Sequence, residues 1–119
     1  MSEFNYDIKQ VVDFLGGGID ENIVFKLIGV FVKSVNDEMP LLKEAVEQLN
    51  KPQIHKVGHK LKGSSANLGF ESFRKLCESL EQNARHDFEY DYAGTLAKLL
   101  VEKESIEKWY ESEKANNGM

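Results

Sequence analysis

Apolar residues recur along this chain at intervals of three and four and never alternate with period two over a strand's length, which predicts an all-helical protein. Ile8, Val11, Val12 and Leu15 share one side of a short helix over about residues 6–15, and the glycines at 16–18 end it. Asp20 is the expected N-cap of a second helix. Its apolar positions form two adjoining stripes, one of Ile23, Leu27 and Val30 and one of Val24, Ile28, Phe31 and Val35, a face wide enough to meet more than one neighbour. Pro40 has no N–H and disfavours helix at Met39, so a kink, rather than an interruption, is expected before Leu42, Ala45, Val46 and Leu49 resume the pattern. Asn50 and Pro52 open a third helix that runs to about Leu68, with Gly69 as its stop. A fourth over about 71–85 buries Phe73, Leu76, Cys77, Leu80 and Ala84. A fifth over about 90–113 buries Tyr92, Leu96, Leu99, Ile106 and Tyr110, and residues 115–119 fray.

Long amphipathic helices with short connections predict an all-α fold, an antiparallel up-down four-helix bundle over about 20–114 with the short N-terminal helix against its side or end. A length of 119 residues and 41% apolar composition suit one domain spanning 1–119. The N-terminus lacks a signal-peptide layout and the longest apolar run is too short to cross a bilayer, so a cytoplasmic protein away from the membrane is expected. The initiating Met and the complete helical pattern point to a standalone, monomeric unit. Cys77 is the lone cysteine, which fits a buried apolar role in a reducing compartment. A net charge of −5 argues against nucleic acid as a partner. From Lys51 to Phe70, however, there are four lysines and no Asp or Glu, a positive island in an acidic chain.

Two of the three histidines lie in that island. On a helix turning about 100° per residue, Ile54, Val57, Leu61, Ser65 and Leu68 share the buried stripe, which puts His59 on the opposite face with His55, Lys62, Gly63 and Ala66 beside it. Gly63 stands out there, because glycine inside a helix costs about 0.5–1 kcal/mol relative to alanine. Close approach by another molecule would explain it. A solvent-facing imidazole at neutral pH offers a nitrogen lone pair to an electrophile such as phosphorus, and an ammonium one turn away can offset the charge of the phosphoryl group it acquires.

The run "HKLKGSSANLG" followed by "LCESLEQNAR" resembles the histidine-containing phosphotransfer (HPt) domains of two-component phosphorelays. The resemblance extends over nearly the whole chain. It implies that His59 accepts a phosphoryl group from, or donates it to, an aspartate of a response-regulator receiver domain, fed by a hybrid sensor histidine kinase. Lys62 would then assist the phosphoryl group and Gly63 would keep the approach open. Glu81 stands where the family often has Gln and would orient the imidazole through Nδ1, leaving Nε2 as the nucleophile, and Arg85 would border the site. The resemblance implies no kinase activity of the chain's own and no bound cofactor, the Mg2+ belonging to the receiver. In line with this, "GGG" at 16–18 lacks the residues of a phosphate-binding loop.

Other residues have plainer explanations. His55 and His59 have the i, i+4 spacing of a metal-binding pair, but "HKVGH" lacks the Glu of H-E-x-x-H and a third ligand, so His55 is expected to be a bystander or a rim residue. Ser64 and Ser65 fit as small packing residues, His86 as a charge at a helix C-terminus, and Trp109 as core or core edge. Phe25 and Val32 lie off the main face of the second helix, covered by the first helix or used to dock a receiver. The alternative function is a helical docking module that binds a receiver or kinase without being phosphorylated, a role for which His59 would be unnecessary.

Overall fold

The computed structural model describes residues 6–16 and 18–116. Among these residues five helices follow one another: α1 (Ile8–Phe14), α2 (Glu21–Glu47), α3 (Lys51–Asn67), α4 (Glu71–Arg85) and α5 (Tyr92–Asn116). Helix α2 packs on α3, α3 on α4, α4 on α5, and α5 returns to α2, so four helices close a bundle while α1 lies against α2. Cross-helix partners run in opposite directions: Lys51 at the start of α3 meets Asp87 just past the end of α4 and His59 meets Glu81 of α4, and Phe25 meets Tyr110 while Asn36 meets Glu107 between α2 and α5. This is the antiparallel up-down bundle with an added short helix that the periodicity predicts.

The ends of the helices follow from local chemistry. Asp7, Asp20 and Asn50 cap α1, α2 and α3, each accepting a backbone N–H of the first turn. At the other end, α2, α3 and α4 close alike: Leu49, Gly69 and Asp87 take left-handed φ angles of 51°, 75° and 57°. Behind them the N–H of Asn50, Phe70 and Phe88 reaches back to the carbonyl of Ala45, Ser65 and Asn83. Leu49 therefore terminates α2 and stands exposed, where the pattern predicts a buried continuation. The expected fraying from residue 115 is not seen in Ala115 and Asn116, which remain helical, while 117–119 lie outside the described residues. So does Gly17 of the terminating glycines.

Helix α2 continues through Pro40 without a break and departs from expectation along one of its stripes. Pro40 and Asn36 both lie on the exposed face, so the Asn36 carbonyl that loses its helical donor faces water instead. The stripe of Ile23, Leu27 and Val30 is exposed, because the neighbours of α2 cover Val24, Ile28, Phe31 and Val35 and leave that adjoining line open. Phe25 is buried, but its cover is neither α1 alone nor a docking partner: it stacks on Tyr110 and tilts against Trp109, both of α5. Val32 faces the same helix, beside Ile106 and Glu107. Gly29 follows from this packing, since a Cβ there would lie 2.6 Å from the Tyr110 hydroxyl. Helix α1 is pinned by Tyr6, whose hydroxyl donates to the Leu68 carbonyl at 2.6 Å and whose ring stacks on Phe70.

Candidate functional site

The buried stripe of α3 is the one its spacing predicts: Ile54, Val57, Leu61, Ser65 and Leu68 are all buried. His59 consequently faces outward, with its side chain 68% exposed. Ser65 donates to the carbonyls of Leu61 and Lys62, and Ser64 to that of Lys60, so both hydroxyls are used within the helix. Neither is poised for chemistry.

Across the α3–α4 interface lies Glu81, only 3% exposed. Its Oε2 accepts the hydrogen on Nδ1 of His59, and its Oε1 lies 2.6 Å from Lys62 Nζ, a charge contact that leaves Oε1 without an aligned hydrogen bond. Burial alone would raise the carboxyl pKa, but the contacts from Lys62 and His59 outweigh it, and the group is held below the usual glutamate range. With Nδ1 carrying the hydrogen, the bare nitrogen of the neutral ring is Nε2, on the solvent side. A carboxylate fixed inside the bundle thus sets both the tautomer and the orientation of an exposed imidazole.

Gly58 makes this reach possible and was not singled out by the sequence pattern. A Cβ on Gly58 would lie 3.1 Å from the Cys77 carbonyl oxygen and 3.2 Å from the Glu81 backbone nitrogen, so α3 and α4 approach closely at the turn that carries Glu81. The available signal was the one used for Gly63, a glycine inside a helix. The two glycines differ in kind: a Cβ on Gly63 would meet nothing within 4 Å. Nothing within 4 Å constrains a side chain at 63, whereas at 58 a Cβ would press on the backbone of α4.

Lysines surround the site unequally. Lys60 pairs with Glu38 of α2 at 3.5 Å and Lys51 with Asp87 at 2.8 Å, while Lys56 is exposed. Arg85 is exposed at the last position of α4 and, among the described residues, makes no ion pair or hydrogen bond with His59, Lys62 or Glu81. Cys77 is buried against the other side of the interface. Burial, with the Glu81 charge nearby, pushes its thiol up to about 12, so it is inert at neutral pH. Among the described residues no three His, Cys, Asp or Glu side chains gather as metal ligands.

His55 lies beside His59 at the edge of the α3–α4 interface. It is partly buried, its Nδ1 lies 3.4 Å from the backbone carbonyl of Glu81, and its ring lies roughly parallel to that of His59 with centroids 6.2 Å apart and an interplanar angle of 26°. It has a partner on α4, the same residue that holds His59.

The family model described as Hpt domain matches residues 26–107. No curated protein matches the chain in sequence. Among solved structures, the bundle is similar to the crystal structure of histidine-containing phosphotransfer protein B (HptB) from Pseudomonas aeruginosa PAO1, with a TM-score of 0.81 at 20% sequence identity over 97% of this chain and 98% of that one.

Proposed function

The chain belongs to the Hpt domain family, and from that premise we propose that it is a phosphorelay carrier, in which His59 takes a phosphoryl group from the aspartyl phosphate of one response-regulator receiver domain and passes it to the aspartate of another. The observation that carries this reading is the solvent-facing imidazole of His59, held through Nδ1 by buried Glu81 with Lys62 one turn away. Attack by Nε2 forms an N–P bond as the P–O bond to the receiver carboxylate breaks. Because Nε2 is bare and Nδ1 keeps its hydrogen on Glu81, the ring loses no proton in the step.

Phosphoryl transfer depends on in-line positioning and on neutralising charge spread over the phosphoryl oxygens. Lys62, one turn from His59 and held on Glu81, supplies positive charge at the site, Gly63 leaves the flank open to the incoming domain, and Lys56 adds attraction for an acidic donor pocket, which chiefly raises the encounter rate. Arg85 borders the approach from α4. The Mg2+ of the reaction belongs to the receiver, the chain holds no cofactor, and it has no kinase activity of its own. A hybrid sensor histidine kinase stands upstream. Among the described residues no helix is long and apolar enough to cross a membrane, and we place the carrier in the cytoplasm beside its receivers, as a monomer.

The test is phosphoryl transfer from a radiolabelled receiver. Wild-type protein is expected to gain acid-labile label and His59→Gln to gain none while keeping its helical circular dichroism. Acid-labile label on His59→Gln would overturn the assignment.

A further inference from the structure

Glu81 holds two imidazoles, not one. Its carboxylate takes the Nδ1 hydrogen of His59 and its backbone carbonyl faces Nδ1 of His55 at 3.4 Å. A carbonyl oxygen can only accept, so Nδ1 of His55 carries the hydrogen and its Nε2 is bare in the neutral ring. The two rings lie one helical turn apart and nearly parallel, centroids 6.2 Å apart, each anchored through Nδ1 to α4. Both therefore turn Nε2 away from α4. Lys62 lies on the C-terminal side of His59 and is committed to Glu81; His55 lies on the N-terminal side.

We propose that His55 is a second phosphoryl-stabilising residue: once His59 bears the phosphoryl group, His55 takes a proton from solvent onto Nε2 and donates that N–H to a phosphoryl oxygen. This rests on the carrier function of His59. His55 forms no bond to phosphorus, and the only change at its ring is the added proton. The charged groups around it leave the role open. Lys51 is tied to Asp87, Lys60 of α3 to Glu38 of α2, Glu78 of α4 to Arg74, and the Glu81 carboxylate to His59 and Lys62. Among the described residues no carboxylate forms an ion pair with the His55 ring. Lys56 and Arg85, without ion-pair partners among the described residues, are the cations it must coexist with. A phosphoryl dianion nearby supplies the charge that favours protonation.

The role has a specific kinetic signature. In a loose transition state negative charge leaves the phosphoryl oxygens, so a donor to those oxygens stabilises the resting phosphohistidine more than it stabilises its breakdown. His55 thus lengthens the life of the stored phosphoryl group without being needed to load it. With the purified chain loaded by a small phosphoramidate donor, His55→Ala is expected to lose its label to water about fivefold faster than wild type, the scale of one charge-assisted hydrogen bond only partly lost in the transition state. His55→Lys, which places a permanent ammonium there, is expected to restore most of the lifetime, a rescue that mere packing would not give. In the wild type, nitrogen-15 NMR at constant pH is expected to show Nε2 of His55 changing from a bare to a protonated nitrogen on phosphorylation. An unchanged half-life in His55→Ala, no rescue by His55→Lys, or an Nε2 resonance that stays bare would each overturn the proposal. Failure of the wild type to gain any label at His59 would instead overturn the function on which it rests.

Discussion

Glu81 on α4 accepts the Nδ1 hydrogen of His59 on α3, so a carboxylate 3% exposed orients an imidazole whose side chain is 68% exposed. The orienting group is therefore shielded from water while the group it orients is open to a partner. Desolvating a carboxylate is costly unless it is paired, and the pairing comes from His59 and Lys62 together. The same contacts that stabilise Glu81 inside the bundle fix the imidazole outside it.

Replacing Glu81 separates orientation from charge. A Gln carbonyl can still accept from Nδ1, so Glu81→Gln is expected to transfer phosphoryl groups at a reduced rate. Glu81→Ala frees the ring and is expected to slow transfer by about tenfold or more, the usual scale for losing a partner that orients a functional histidine. Single-turnover transfer from a phosphorylated receiver measures both. Wild-type rates in Glu81→Ala would remove its orienting role.

The two glycines beside His59 should respond in opposite directions. Gly63→Ala meets nothing and gains helix propensity, so it is expected to stabilise the fold by about 0.5–1 kcal/mol while slowing transfer, because the added methyl stands in the partner's path. Gly58→Ala presses on the backbone of Cys77 and Glu81, and overpacking of that kind is expected to outweigh the propensity gain and destabilise by about 1 kcal/mol net. Denaturant melts alongside transfer kinetics distinguish them. A more stable Gly58→Ala, or a Gly63→Ala that transfers at full speed, would contradict this assignment.

Lys62→Ala leaves the buried Glu81 carboxylate with His59 as its sole partner in the triad, and a stability loss of roughly 1–3 kcal/mol is expected from the uncompensated charge. The phosphohistidine should also persist for less time. Unchanged stability and unchanged label lifetime together would show that Lys62 serves neither the carboxylate nor the phosphoryl group.

Acid should weaken the site in a defined direction. The Glu81 carboxyl is held below the ordinary glutamate range in the folded state, so its contribution to stability is complete above that range and is lost as the pH falls through its lowered folded-state value. The stability difference between wild type and Glu81→Gln is therefore expected to shift against wild type as the pH drops from neutrality into the acid region. A difference independent of pH would mean that the carboxyl is not held low. Urea melts across the range measure it.

The five helices, the caps at Asp20 and Asn50, the stop at Gly69, the buried stripe of α3 and hence the outward direction of His59 were legible in the sequence, because helical periodicity, capping and glycine stops act over one or two turns. Glu81 was legible as a partner only through resemblance to a family, and Gly63 was legible as a glycine that leaves the helix face open, but the packing role of Gly58 was not, since it reads simply as another glycine inside a helix. The tertiary structure decided those points, together with the exposure of Ile23, Leu27 and Val30, the burial of Phe25 under Tyr110, and the placing of His55 against the carbonyl of Glu81. An apolar residue is buried only if another helix covers it, and a glycine between helices matters only if they meet there. Those facts depend on which faces touch, and only the packed bundle sets them.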